Sequence, residues 1–259
     1  MCLGLLALAP GASAQEGFLG RGRYPQFRNV SGLPGGSFGV TPDGHPGIMG
    51  ALALSTPIGY SLSDFRVVIA LANMSDDARP RVFDVSETDQ GRVRSNGTAA
   101  AMIGFRLGPL GRLTYSKTFL SEELDNVTNL QYQIPLKDSK LGLSLGVQDV
   151  FDDGGSAGEA DPTDKESSRS PFVVGTYDFG RNVYGSLGVG TRRFRGGFAN
   201  VSVPLGARGR AMAEYDGFGL NFGAAYSLGR FPRTERVEAN LFFGYVRGRN
   251  ATVGLSVSF

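Results

Sequence analysis

Apolar and polar residues alternate along much of this chain, and the clearest example is its last stretch, residues 250–259. Every second residue there is apolar, ending on Phe259, and the residues between are small and mostly polar. Because successive side chains of a β-strand point to opposite faces, this pattern predicts a strand with one apolar and one polar face. In a soluble sandwich the apolar face would cover a core. In a membrane barrel it would meet lipid, and the polar face would line the lumen.

Similar alternating segments, each about ten residues long, recur from residue 48 onward, and this length suits tilted strands that cross a membrane. Turn-forming Gly, Asn, Asp and Pro residues separate many of them. With a further short strand at 37–41, the pattern predicts an all-β fold, a transmembrane antiparallel up-and-down β-barrel of about 14 strands (12–14) over residues 37–259. A soluble β-sandwich is the alternative fold. The alternating segments are 48–56, 62–74, 98–107, 112–120, 126–136, 140–151, 170–179, 183–194, 197–204, 209–216, 219–228, 235–246 and 250–259.

Loop lengths give this barrel an orientation. The longest polar loops, 75–97 and 152–169, both follow even-numbered segments when 48–56 is counted first. Membrane barrels keep short turns on the periplasmic side and long loops outside the cell. With Phe259 at the periplasmic end, both long loops are predicted to be extracellular. A strand that ends on a terminal Phe also resembles the assembly signal of bacterial outer-membrane barrels, which predicts the bacterial outer membrane as the location.

The amino-terminal residues indicate export. Residues 1–14 are mostly apolar but too few to cross a bilayer as a helix, and Ala12-Ser13-Ala14 has the small-x-small form that precedes signal-peptidase cleavage. We therefore predict a signal peptide over 1–14, with a disordered apolar terminus as the alternative. Residues 15–36 are predicted to form a periplasmic or lumenal leader that acts as a short plug. Since Cys2 is the only cysteine, the mature chain would have none.

Composition fits such a barrel. The chain has 39 glycines, no tryptophan and only 19% charged residues, and its mean hydropathy is close to zero. A chain of low hydropathy can still sit in a membrane when half of each strand faces water. The net charge of +2 is too small to indicate nucleic acid as a partner. The expected partners are outer-membrane lipid, lipopolysaccharide and the machinery that assembles outer-membrane barrels.

Polar side chains on the predicted inward faces are the candidate functional residues. A charged side chain that faces lipid at the bilayer midplane costs about 2–4 kcal/mol, so these residues should point into the lumen. Such a wall could be a salt-bridge network that fixes the barrel's shape, the lining of a sugar path, or the lining of a water-filled pore. The lumen-lining candidates are Arg106, Arg112, Gln131, Gln133, Gln148, Arg192, Arg210, Glu214, Asp216, Arg236, Glu238 and Asn240.

Aromatic residues near the strand ends are predicted to face outward as girdles at the lipid boundaries, with a sugar-stacking platform as the alternative. They are Tyr115, Phe119, Phe172, Tyr177, Phe179, Tyr226, Phe243 and Tyr245.

Catalytic and metal-binding residues are not expected. His45 is the only histidine, it lies in a turn rich in Pro and Gly, and nothing near it in the sequence resembles a nucleophile elbow or a metal motif. The acidic stretch 149–166 could hold Ca²⁺ through carboxylate oxygens, but its spacing does not match an EF-hand loop. We interpret this stretch as a solvated extracellular loop, and we predict neither an enzyme nor a cofactor.

Three parts of the sequence resemble a known family. They are 146–155, which begins Gly-Val-Gln-Asp-Val-Phe, then 170–175 with 187–190, and 198–204 with 213–217. Their order is similar to that in the YjbH family, outer-membrane β-barrel proteins tied to exopolysaccharide or capsule production, and the likeness covers residues 140–228.

This resemblance implies a non-enzymatic role in exopolysaccharide or capsule export or assembly. It also implies polysaccharide and periplasmic export proteins as partners, and it implies no catalytic residue. Two other functions remain open at this point. One is a general diffusion porin, and the other is a structural or adhesion barrel that acts through its extracellular loops.

Overall fold

The computed structural model describes residues 31–36, 38–74, 97–119, 126–138, 140–151, 169–231, 234–246 and 250–259. Within these residues twelve antiparallel strands form one closed barrel, in which each strand pairs with its neighbours in sequence and the last pairs with the first. No helix in this part of the chain is long and apolar enough to cross a bilayer. The strands are β1 (Val67–Met74), β2 (Gly97–Arg106), β3 (Arg112–Phe119), β4 (Asn126–Ile134), β5 (Leu141–Gln148), β6 (Ser170–Asp178), β7 (Tyr184–Gly190), β8 (Phe198–Leu205), β9 (Gly209–Tyr215), β10 (Leu220–Phe231), β11 (Thr234–Val246) and β12 (Asn250–Ser258).

The two faces of each strand differ as the alternation predicts. In β3, Thr114, Ser116 and Thr118 are buried inside the barrel, whereas Tyr115 and Phe119 are exposed on its outer surface. The other strands repeat this arrangement, so the exposed large apolar side chains form the outer wall. A closed antiparallel barrel leaves no unpaired edge, and an apolar outer wall is compatible with lipid. The predicted barrel and its location in the bacterial outer membrane are therefore confirmed, and the soluble sandwich is excluded.

The prediction of about 14 strands is wrong for two segments, 37–41 and 48–56. The described part of the chain has twelve wall strands, and residues 31–36 and 38–66, which precede β1, lie inside the barrel instead. Isolated bridges join Val40 to Pro46 and to Ala51, but no ladder joins these residues to the wall. The error has a simple cause, because an extended chain inside a lumen alternates its contacts with period two just as a wall strand does. The predicted segment 62–74 enters the wall only at Val67.

Strand directions confirm the predicted arrangement of the loops. One end of the barrel, here called the turn end, carries Phe259 and the short connections 107–111, 179–183 and 206–208, and the connections from β4 to β5 and from β10 to β11 leave the same end. The connections that include 75–96 and 152–168 both leave the opposite end, here called the loop end. Membrane barrels place long loops outside the cell, so the extracellular position of the loop end stays a prediction.

Residues 31–36 and 38–66, here called the lumenal segment, run back and forth inside the barrel. Ser31 lies near the loop end, where its carbonyl accepts a hydrogen bond from Gln148 at the end of β5. The segment then descends to the turn end at Pro42, whose carbonyl accepts a hydrogen bond from Arg112. It rises again as far as Leu54–Thr56 and descends once more to enter β1. The predicted signal peptide 1–14, and residues 15–30 of the predicted leader 15–36, lie outside the described residues and remain predictions.

Candidate functional site: the barrel lumen

Glu214, on β9 near the loop end, binds the top of the lumenal segment. Its side chain is 2% exposed, and its carboxylate accepts hydrogen bonds from the backbone N–H groups of Leu54 at 2.9 Å and Ser55 at 3.0 Å. It also accepts the hydroxyl hydrogens of Ser55 at 2.7 Å and Thr56 at 3.0 Å. Asn221 on β10 donates to the same carboxylate at 2.8 Å. A buried carboxylate needs such donors, because an unpaired charge in a desolvated site is strongly unfavourable.

On the opposite side of the lumen, amide and hydroxyl side chains of the wall bind the final descent of the segment. Gln131 donates to the carbonyls of Ile58 at 2.9 Å and Tyr60 at 3.2 Å. The side-chain oxygen of Gln133 accepts from the N–H of Ser61 at 2.9 Å. In the same way Thr176 accepts from Gly59 at 2.7 Å, and Thr114 accepts from Leu62 at 2.9 Å. An extended chain without strand partners must satisfy its backbone groups in some other way, and here wall side chains do so.

Three arginines of the wall and its connections donate to carbonyl groups of the segment. Arg210, on β9 near the turn end, is fully buried, and it donates to the carbonyls of Ile48 at 3.4 Å and Met49 at 3.3 Å. Its guanidinium carbon also lies 5.0 Å from the ring centre of Tyr184, a cation–π distance. Arg112 donates to Pro42 at 2.7 Å, and Arg193 donates to Ser55 at 3.5 Å.

Apolar contacts fill the space between these polar ones. Phe242 and Met212, on inward faces of the wall, belong to the same buried cluster as Leu52 and Leu54 of the segment. The wall also carries glycines where the segment comes closest. A Cβ on Gly104 would overlap Leu62, and a Cβ on Gly142 would overlap the ring of Tyr60. At Gly244 a Cβ would lie 2.9 Å from a methyl carbon of Leu54. Wall and segment are therefore complementary in shape as well as in hydrogen bonding.

The structure places the remaining predicted lumen residues with different neighbours. Arg106 lies at the turn end and forms a partly exposed ion pair with Asp64 at 2.9 Å. Asp216, at the connection of β9 to β10, accepts hydrogen bonds from backbone groups of that connection, both at 2.9 Å. Glu238 lies within hydrogen-bond reach of the N–H of Ile48 at 3.4 Å, and Asn240 is buried in the lumen. The side chain of Arg236 lies outside the described residues.

One lumen candidate, Arg192, is wrong as a wall residue. Strand β7 ends at Gly190, and Arg192 lies in the short 3-10 turn Arg192–Phe194 that follows. The neighbouring Arg193 is the buried residue of the pair. The predicted strand extends past the observed end of β7, because Gly190-Thr191-Arg192 continues the small and polar pattern without a break.

The outward girdle is also wrong at one position, Phe172. This residue faces inward with 5% of its surface exposed, and its ring packs on Phe194 with centroids 5.1 Å apart. Leu33 of the lumenal segment belongs to the same cluster. The other girdle residues are exposed on the outer surface, as predicted. Phe172 and Phe242 face inward because the lumenal segment provides them with apolar neighbours.

Sequence analysis missed several residues that hold the segment, including Asn200, whose amide donates to Thr56 at 3.0 Å, and Asn221. The alternation of their strands could have identified both residues, because both fall on inward faces. His45 lies in the segment's turn at the turn end, with its imidazole 3.3 Å from the carboxylate of Asp43. The expectation that the chain is not an enzyme stays a prediction.

Comparison with known proteins yields structural likenesses only. No family model matches the chain, and no curated protein matches it. Among solved structures the chain is similar to KdgM porin, with 10% identity, a TM-score of 0.45, and coverage of 74% of this chain and 98% of that one. It is similar to NanC porin with 8% identity, a TM-score of 0.43 and the same coverages, 74% and 98%. A mutant of Rh. blastica porin matches with 12% identity, a TM-score of 0.34, and coverage of 62% and 55%. Because these values are low, the assignment below rests on the residues of the barrel itself.

Proposed function

We propose that this chain is a porin-type outer-membrane channel for small polar solutes, and that its lumenal segment keeps it in a state of low conductance. One observation carries the proposal. The barrel closes through its own twelve-strand ladder among the described residues, while the lumenal segment is attached to the wall chiefly by side-chain contacts. Movement of the segment would therefore leave the hydrogen bonds of the barrel intact. It would uncover a wall lined with amide, hydroxyl and charged groups, which suits passage of hydrated solutes.

A cross-link between segment and wall tests this proposal. The side chains of Thr56 and Asn200 touch at 3.0 Å, so Thr56→Cys with Asn200→Cys places two thiols within reach of a short bis-methanethiosulfonate reagent. A Cys2→Ser background removes the only natural thiol. We expect brief conductance events in planar bilayers from the uncross-linked protein, their loss after cross-linking, and their return with dithiothreitol. Intact mass confirms that the link has formed.

A second pair of cysteines controls for blockage by the reagent itself. Thr118 and Asn129, on neighbouring wall strands, are joined by a hydrogen bond of 3.3 Å, and both are buried inside the barrel. Cross-linking Thr118→Cys to Asn129→Cys should leave the conductance events in place, because it joins wall to wall. Equal currents from the linked and reduced segment pair would show that ions bypass the segment. Absence of current in every state would favour the structural or adhesion barrel.

This proposal lies closer to the general diffusion porin than to the exopolysaccharide role that the sequence resemblance implies. It differs from an open porin, because the described lumen is occupied. The exopolysaccharide role, with polysaccharide and periplasmic export proteins as partners, stays a prediction that rests on the sequence resemblance alone. Deletion of the gene tests that prediction, since an export component should be required for surface polysaccharide.

A further inference from the structure

We infer that Glu214 is the residue that retains the lumenal segment, and that release of its contact opens the channel. This inference rests on the proposed function and adds the position at which opening begins. Elsewhere in the lumen a wall side chain meets the segment through one to three hydrogen bonds, mostly between neutral groups or to a carbonyl. At Glu214 a single charged group receives backbone and hydroxyl donors from consecutive residues, Leu54, Ser55 and Thr56.

The charge of Glu214 makes this contact stronger than its neighbours. Hydrogen bonds to a carboxylate are roughly twice as strong as those between neutral groups. Neighbouring wall residues also act on the same three residues of the segment, since Asn200 donates to the Thr56 hydroxyl and Arg193 donates to the Ser55 carbonyl. The barrel therefore binds both the hydrogen-bond donors and the hydrogen-bond acceptors at the top of the segment.

Position in the chain favours release at this point. The segment is covalently joined to the wall at Val67, at the turn end, whereas Leu54–Thr56 lie at the level of Glu214, near the loop end. Movement that starts at Leu54–Thr56 requires no change where the segment joins the wall at Val67. After release, Asn221 still donates to the Glu214 carboxylate at 2.8 Å, and water entering the lumen supplies further donors. The empty wall site is therefore solvated and paired, so release can be reversible.

Glu214→Gln tests the inference in the full-length chain. The amide keeps the shape of the side chain but loses the charge, and it presents an N–H₂ group to donors that need an acceptor. We expect the open probability in planar bilayers to rise about tenfold or more, since a hydrogen bond to a charged group contributes more than the roughly 1.4 kcal/mol that corresponds to a factor of ten.

Asp138→Asn is the control for the loss of a carboxylate charge. Asp138 is exposed in the connection between β4 and β5, where its carboxylate accepts a hydrogen bond from the N–H of Lys140 at 2.9 Å. We expect its open probability to stay within about threefold of the wild type, because an exposed hydrogen bond of this kind contributes little. Heat-dependent mobility on detergent gels reports whether each barrel has folded.

A second variant acts from the segment side and leaves the wall untouched. Ser55→Ala with Thr56→Ala removes both hydroxyl donors but keeps the backbone N–H groups, so we expect a smaller rise than for Glu214→Gln. If Glu214→Gln fails to fold, the open probability of this double variant tests the inference in its place. The inference is overturned if folded Glu214→Gln, or in its place the double variant, conducts like Asp138→Asn and the wild type while the reduced cysteine pair still shows openings. Loss of openings in the reduced pair as well would overturn the proposed function instead.

Discussion

Gly104→Ala is expected to destabilise the protein by about 1–3 kcal/mol, the usual cost of forcing an extra methyl group into a well-packed interior. Gly104 lies on the inward face of β2, and a Cβ there would overlap Leu62 and come within 2.6 Å of the Leu62 carbonyl oxygen. Neither chain can move away easily. The Leu62 N–H is bonded to Thr114 at 2.9 Å, and the Gly104 N–H donates to the Arg66 carbonyl at 2.9 Å.

Unfolding in urea, followed by circular dichroism in detergent micelles, measures this effect. Gly175→Ala is the matched control, because Gly175 lies in β6 on the outer face and no described atom lies within 4 Å of the methyl group it would gain. We expect that variant to unfold within about 0.5 kcal/mol of the wild type, as surface substitutions usually do. Equal stability of the two variants would mean that Leu62 does not lie against β2.

Arg210→Met is expected to cost about 3 kcal/mol or more. The side chain of Arg210 is fully buried, and its guanidinium group donates to the carbonyls of Ile48, Met49 and Asn182. Methionine fills much of the same volume but donates nothing, so buried acceptors lose their partners at about 1–3 kcal/mol each. The cation–π contact with Tyr184 is lost as well.

Arg208→Met provides the control for this second substitution. Arg208 is exposed in the connection just before β9, so its replacement removes the same charge without removing a buried donor. Urea unfolding should separate the two variants clearly, with Arg208→Met close to the wild type. Limited proteolysis of Arg210→Met should also cut near Ile48–Met49, since these residues lose their attachment to the wall. If both arginine variants are equally stable, the Arg210 contacts do not hold the segment.

The sequence predicted the wall well because the deciding pattern is local. In β3 and β12 the alternation of apolar and polar residues assigns each side chain to lipid or lumen without knowledge of the partner strand. The alternation therefore predicts the correct face for Gln131, Gln133, Arg210 and Glu214. Their partners could not be predicted, because those partners lie in the lumenal segment, far away along the chain. The contact of Glu214 with Leu54, for example, joins residues 160 positions apart.

Residues inside the lumen follow a different rule from the wall. Residues 48–56 alternate like a strand, yet their polar backbone groups bond to side chains such as Glu214 and Ser202 instead of to a strand. The sequence predicts Phe172 to face lipid, because an aromatic residue near a strand end usually faces outward, but in this barrel it clusters inside with Leu33, Phe194 and Phe198. An inward apolar residue is favourable only when something apolar fills the lumen beside it.

The alternating pattern was sufficient to predict that this chain forms a membrane barrel, which strands build most of its wall, and which side chains face inward. These properties follow from a period of two residues and from turn positions, and both are local. Contacts in three dimensions were needed to establish that the described wall has twelve strands and that residues 31–36 and 38–66 occupy the lumen. Strand pairing and lumen filling are alternatives for the same kind of extended chain, and contacts between residues distant in sequence decide between them.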